Sequence, residues 1–291
     1  MRKQTKLVAV LSTAALLAIG ASMTSFAATG WAEEDGTWVY YDRNGDKVTD
    51  KWAKSGNNWY YLDSNGEMAV DQLIEDGDNY YYVDVNGVMA ANQWVAIDNE
   101  DAGDDDEPEH YWYYFQANGK ALKQGDSDTV SLKTVNGKKY AFDEYGAMVA
   151  EWSLDEDDEK KASDTEAQEA ASTASTSEAW EGNGKYAKYT QAWKYYNSVE
   201  DGSRVSKGWF KVVPAEMLNK EKYDDDEESW YYADGSGNLY AGEFKTIKGK
   251  KYAFRNDGRM LTGLKFIKEG DEDFADVKAD DDDPNFDTED E

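Results

Sequence analysis

The chain has no cysteine, a single histidine and only three prolines among 291 residues. Without thiols, no disulfide can staple an exported fold, so stability must come from packing, metal or repetition. The one histidine, His110, has no Cys or second His to work with and reads as a surface residue. Bases are scarce too: 31 Lys and Arg stand against 61 Asp and Glu, for a net charge of −30. Such a chain is a poor partner for nucleic acid or an anionic membrane, and it suits a cationic ligand.

Hydrophobic runs are equally scarce. The one clear run, Leu7 to Ile19, follows the bases Arg2, Lys3 and Lys6 and precedes the small-residue tripeptide Ser25-Phe26-Ala27. That order is the signature of a secretory signal, and the run is too short for a comfortable membrane span. Residues 1–27 are therefore expected to be removed on export, which takes away three bases and lowers the charge from −30 to −33. With no second hydrophobic run and no sorting signal, retention at a surface would be non-covalent.

What the chain has is aromatics, 11 Trp and 21 Tyr, and they recur. Trp38, Trp59 and Tyr80 lie 21 apart; so do Tyr40, Tyr61 and Tyr82, and Gly45, Gly66 and Gly87. Asp42, Asp63 and Asp84 keep the same step, as do Trp31, Trp52, Leu73 and Trp94. Looser copies follow at 110–122, 136–148, 192–209, 229–242 and 248–263. A fixed step shared by several columns is the mark of a repeat architecture.

One unit reads as a β-hairpin. A strand begins near the first Trp, a turn with Gly closes it, and the run "WYY" returns. "DxNG" then supplies a second turn, where Asn and Gly accept positive φ. Alternation puts Trp59 and Tyr61 on one face and Tyr60 on the other. A lone hairpin is marginal in water, so successive units must stack to bury both faces. The fold class is all-β, a solenoid of stacked hairpins in two blocks, 30–154 and 180–268. Residues 155–179, rich in Asp, Glu, Ser, Thr and Ala, read as an acidic linker between them. The tail 269–291, with thirteen acids against one Lys, reads as disordered. The longest insertions fall between the two strands of a unit, at hairpin tips.

These columns resemble the choline-binding or cell-wall-binding repeat of Gram-positive surface proteins. The carrying residues are Gly30-Trp31, Trp38-Val39-Tyr40-Tyr41 and Gly45; Trp52, Trp59-Tyr60-Tyr61, Gly66 and Met68; and Tyr80-Tyr81-Tyr82, Gly87 and Met89. The resemblance covers about 30–154 and 180–266. It implies ligand sites between consecutive hairpins, built from the first Trp, the first ring of "WYY" and a ring of the following unit, often closed by Met. Carried over, one cage is Trp31, Trp38 and Tyr61, and the next is Trp52, Trp59 and Tyr82. Trp94 with Trp112 is a third, and Trp209 with Trp230 a fourth. Leu73 departs from the Trp column, and Lys139 and Lys251 replace the cage Trp, so their units read as structural spacers.

The resemblance thus implies an exported, non-enzymatic protein that recognises choline-substituted teichoic acid or a similar wall polymer, without cofactor or metal. A carbohydrate-binding adhesin or a purely structural surface protein is the alternative, since stacking needs these rings in any case. "DRNGD" (42–46) and "DSNGE" (63–67) lack calcium-loop spacing and read as turns. Paired carboxylates for glycoside hydrolysis have no catalytic domain to sit in.

Overall fold

The computed structural model of the chain describes residues 29–99, 102, 108–125, 132–154 and 185–262. The expected signal segment, linker and tail lie outside the described residues.

Sixteen strands among these pair two by two. β1 (Gly30–Glu34) pairs with β2 (Thr37–Tyr41), β3 (Lys51–Ser55) with β4 (Asn58–Leu62), and β5 (Gln72–Asp76) with β6 (Asn79–Val83). β7 (Gln93–Asp98) pairs with β8 (His110–Phe115), and β9 (Lys133–Val135) with β10 (Lys138–Tyr140). β11 (Glu151–Leu154) pairs with β12 (Trp193–Tyr196). β13 (Gly208–Val212) pairs with β14 (Ser229–Ala233), and β15 (Glu243–Ile247) with β16 (Lys250–Phe254). Two short helices join them, α1 (Lys185–Ala192) and α2 (Lys220–Asp224). The expected all-β hairpin architecture is what forms. It falls into two compact units, residues up to Gln93 with Phe115–Ala121, and Trp94–Tyr114 with Leu122 onward.

The turns explain the spacing of the polar residues. Asp63 Oδ1 accepts the amides of Asn65 and Glu67, both at 2.8 Å, and Asp42, Asp84, Asp143 and Asp234 repeat the arrangement. Each such carboxylate is thereby a turn-former. Gly87 adopts φ +74°, and a Cβ there would lie 2.9 Å from the Met68 sulfur. The position therefore needs glycine both for its backbone and for the methionine of the preceding repeat.

Stacking is carried by a column that the sequence pattern does not single out. The residue that follows the returning run, whether that run holds three rings or one, is fully or nearly fully buried in Leu62, Val83, Phe115, Phe142, Ala233 and Phe254. Backbone hydrogen bonds then tie each turn to the previous hairpin: Met89 N–H to the Trp59 carbonyl at 2.9 Å and Ala121 N–H to Tyr80 at 2.8 Å in the first unit. In the second, Met148 N–H donates to Trp112 and Met260 N–H to Trp230, both at 2.7 Å.

The chain around 155–179 is connected differently from the expected linker between blocks. β11 lies before that stretch and β12 after it, with Trp152 opposite Tyr195. The stretch is inserted within one hairpin, so the sixth repeat begins before it. The reason is that Trp152 needs a returning ring run, and "WKYY" supplies it. The helices that follow were not legible as a repeat. Asn219 caps α2 by accepting the Lys222 amide at 3.0 Å, and Tyr189 of α1 packs into a core with Trp193, Leu218, Tyr231 and Leu239.

Candidate functional site

Each hairpin has two different faces, fixed by strand alternation. In β3–β4, Trp52 lies opposite Tyr61 and Lys54 opposite Trp59, while Ala53 lies opposite Tyr60 on the reverse side. One face therefore carries two indoles and a phenol. Tyr60 is only 5% exposed, whereas Trp59 is 39% exposed. Hairpin β1–β2 has the same plan, with Trp31 opposite Tyr40 and Glu33 opposite Trp38. So does β13–β14, with Trp209 opposite Tyr232 and Lys211 opposite Trp230.

The inner indole of each pair is held from two sides. Trp31 meets Tyr40 of its own hairpin and Tyr60 of the next, both edge-on with centroids 5.2 Å apart. Trp52 meets Tyr61 at 5.2 Å and Tyr81 of the next hairpin at 5.0 Å. Trp209 repeats this with Tyr232 at 5.0 Å and Tyr252 at 4.8 Å. The ring that reaches the inner Trp from the following hairpin is thus the central Tyr of "WYY". The resemblance implies the third ring, Tyr61 or Tyr82. Tyr61 instead packs on Trp52, and Tyr82 stacks on Phe115 and donates its hydroxyl to Asp71.

The outer indole is open in β3–β4 and β13–β14. Trp59 and Trp230 stand on the surface, the latter 41% exposed and meeting Trp209 edge-on at 6.5 Å. Trp94 and Trp112 are more enclosed. They pack against the core of Val135, Tyr140, Phe142 and Met148, and His110 lies edge-on to Trp112 at 5.6 Å. The units of Lys139 and Lys251 offer no outer indole, and their Tyr140, Ala141, Ala253 and Phe254 are buried.

Carboxylates surround these rings. Burial, and then the charges of Asp50, Asp76 and Asp63, push the Tyr61 hydroxyl pKa up. Burial and Asp76 do the same at Tyr81. Asp76 also accepts the indole N–H of Trp52 at 3.0 Å, while the N–H of Trp31 is buried without an acceptor. Aromatic faces set among fixed negative charges can hold an organic cation by its attraction to the ring quadrupoles. Sequence reasoning missed the residue facing the outer ring across the hairpin, a column that the 21-residue step at Glu33, Lys54 and Glu75 marks out.

Residues 28–72 and 48–94 match the choline-binding repeat family. No curated protein matches the chain. Solved structures that it resembles include the modular autolysin LytC from Streptococcus pneumoniae, at 16% identity and TM-score 0.45, covering 80% of this chain and 38% of that one. Choline binding protein F from Streptococcus pneumoniae is 23% identical at TM-score 0.47, covering 81% of this chain and 58% of that one. The choline-binding domain of Spr1274 in Streptococcus pneumoniae is 32% identical at TM-score 0.25, covering 33% of this chain and 95% of that one. The chain thus spans less than two thirds of the longer two. Among the described residues no helix is long and apolar enough to cross a membrane. Residues 28–94 of this chain thus carry tandem copies of the choline-binding repeat.

Proposed function

We propose that the chain is an exported, non-enzymatic surface protein that holds choline-substituted teichoic acid, or a similar polymer, on a Gram-positive cell wall. The observation that carries this reading is the pair of indoles on one hairpin face, recurring in β1–β2, β3–β4 and β13–β14, with the outer ring open at Trp59 and Trp230. The cages centre on Trp31 with Trp38, Trp52 with Trp59, and Trp209 with Trp230. Trp94 with Trp112 forms a more enclosed one, and Tyr61 and Tyr82 buttress their neighbours. A quaternary ammonium gains roughly 0.5–2 kcal/mol per well-placed ring. Single sites of that strength are weak, and anchoring comes from several engaged together on one polymer.

Calorimetric titration of the full chain with choline and with phosphocholine tests the reading. Heat release and a rise in melting temperature at concentrations on the order of 10 mM are expected, as weak sites require. No heat and no stabilisation would overturn the choline reading. Retention on a wall glycan that persists in excess choline would replace it with a carbohydrate-binding adhesin.

A further inference from the structure

At one repeat boundary the aromatic columns give way to positive charge. Lys139 stands in the column of Trp59, opposite Thr134 on β9–β10. Arg204 stands in the column of Met68, its bridge to Tyr196 matching that of Met68 to Leu62. The Arg204 amide donates to the Lys139 carbonyl across 2.8 Å, the bond that elsewhere joins Met to Trp. Two cationic residues therefore share a boundary at which other repeats place a ring and a thioether.

Neither charge is engaged within the protein. Among the described residues the side chains of Lys139 and Arg204 make no hydrogen bond or ion pair, and Lys139 is exposed. The Arg204 Nε is buried without an acceptor. Its guanidinium sits over the turn of the next repeat, where a Cβ on Gly237 would lie 2.8 Å from that Nε. The neighbouring acids are occupied. Glu200 lies 3.0 Å from His110 Nε2, Asp201 pairs with Lys138 at 3.1 Å, and Asp234 accepts the amides of Ser236 and Asn238. From Leu132 to Phe142 the chain holds three Lys and no acid, which makes β9–β10 a basic patch on an acidic chain. The comparable substitutions elsewhere are neutralised or covered. Lys47 holds the Met column of the first turn but pairs with Glu34 at 2.9 Å. Lys251 holds the Trp column of the eighth repeat but lies over Phe244, 4.7 Å from its centroid.

We infer that the fifth repeat is a phosphate site, where Lys139 and Arg204 hold a phosphate group of the polymer whose quaternary ammonium fills the aromatic cages. The inference rests on the choline reading above and extends it to the anionic part of the same ligand. A guanidinium offers phosphate oxygens a planar fork of donors, and an ammonium adds a point charge. A phosphate oxygen also supplies an acceptor for a buried Nε that no protein atom satisfies. Hairpin β9–β10 packs directly on the Trp94–Trp112 pair. Trp94 meets Tyr140 edge-on at 4.9 Å, and the Met148 amide donates to the Trp112 carbonyl. A cation site and an anion site are thus neighbours on one stack, as the two ends of a phosphocholine group require. Lys139, which repels a cation from its own repeat, qualifies that repeat for the other half of the zwitterion.

The test is calorimetric titration of the full chain and of the double variant Lys139→Gln/Arg204→Met with choline chloride, phosphocholine and inorganic phosphate. The wild type is expected to bind phosphocholine on the order of fivefold more tightly than choline at low salt, an advantage that shrinks as salt rises. Arg204→Met restores the residue usual in its column. The double variant is expected to lose that advantage, and the binding of inorganic phosphate, while binding choline as the wild type does. Should it fail to match the wild-type circular dichroism, Lys139→Gln, at an exposed position, is titrated alone and is expected to lose part of the advantage. Equal affinity of the wild type for choline and phosphocholine, or an advantage that the variants keep in full, overturns the inference and leaves the choline reading standing. Phosphate binding that the variants lose, with no binding of choline, supports the phosphate site and overturns the choline reading. No binding of any of the three overturns both.

Discussion

The amide of Met68 donates to the carbonyl of Trp38 across 2.7 Å, pinning the turn of one repeat to the outer ring of the repeat before. The same bond joins Met89 to Trp59, Met148 to Trp112 and Met260 to Trp230. Where the outer ring is not Trp, the donor is not Met: Ala121 donates to Tyr80, and Arg204 to Lys139. Trp and Met therefore occur together at these four repeat boundaries.

The turn that presents Met68 depends on the glycine it meets. Gly87→Ala would place a Cβ 2.9 Å from the Met68 sulfur and 3.1 Å from the Ala69 carbonyl oxygen, at φ +74°. The left-handed backbone alone costs an L-residue roughly 1–2 kcal/mol. Chemical denaturation is expected to show a loss of at least that size. Gly36→Ala also carries positive φ but meets nothing within 4 Å, so it is expected to lose less. Equal losses would mean that the methionine contact adds nothing.

The two indoles of β3–β4 divide support from contact with ligand. Trp52 packs on Tyr61, Tyr81, Ile74 and Val83, so Trp52→Ala is expected to cost on the order of 3 kcal/mol. Trp59 is exposed, and Trp59→Ala is expected to leave the melting temperature nearly unchanged. In the full chain it is expected to weaken choline binding. A large loss of stability from Trp59→Ala would mark this ring as core.

Repetition exposes a missing acceptor. Trp52 donates its indole N–H to Asp76, 24 residues on, and the same offset from Trp31 lands on Ser55. The N–H of Trp31 is buried without a partner. Ser55→Asp is expected to supply one and to stabilise the chain by about 1 kcal/mol, measurable as a raised denaturation midpoint. An unchanged or lowered midpoint would show that β3 does not present position 55 to Trp31.

Carboxylates in similar turns titrate in opposite directions. The Tyr41 hydroxyl and the Lys47 ammonium hold Glu34 below the usual Glu value, and the amides of Asp46 and Asn44 lower Asp42. At Asp143 burial outweighs its amides and raises the value. A lowered group stabilises the fold above its unfolded pKa, and that stability is lost as pH falls through its folded pKa. A raised group stabilises below its unfolded pKa, and that stability is lost as pH rises through its folded pKa. Acidification past the ordinary carboxylate range of about pH 4 is therefore expected to loosen β1–β2 while favouring the Asp143 turn. Carboxyl NMR titration should place Asp42 below and Asp143 above an ordinary Asp. The reverse order would refute this.

The hairpins were legible because one 21-residue step fixes strands, turns and faces together. Alternation correctly separates Tyr60 from Trp59, since the period of a strand is two whatever it packs against. What reaches Trp31 from the next hairpin was not legible. That choice between Tyr60 and Tyr61 depends on which face the next hairpin turns toward it, a relation between units that no spacing within a unit encodes. The buried column at Leu62, Val83 and Phe115 stayed hidden because its residues share size and apolarity but no residue type. The pairing of β11 with β12 was obscured because an acidic insertion parts Trp152 from its returning strand. Charge opposite the outer ring was written at 33, 54 and 75, yet it carries meaning only once register sets those side chains against Trp38, Trp59 and Tyr80.

The β11–β12 pair also makes the chain a natural split protein. A single cut between Leu154 and Lys185 would yield two fragments that each own one strand of the same hairpin, with Trp152 on one and Tyr195 on the other, 5.0 Å apart in the intact chain. Produced separately, such fragments should complement one another, restoring the sixth repeat by strand exchange between two polypeptides rather than by covalent continuity.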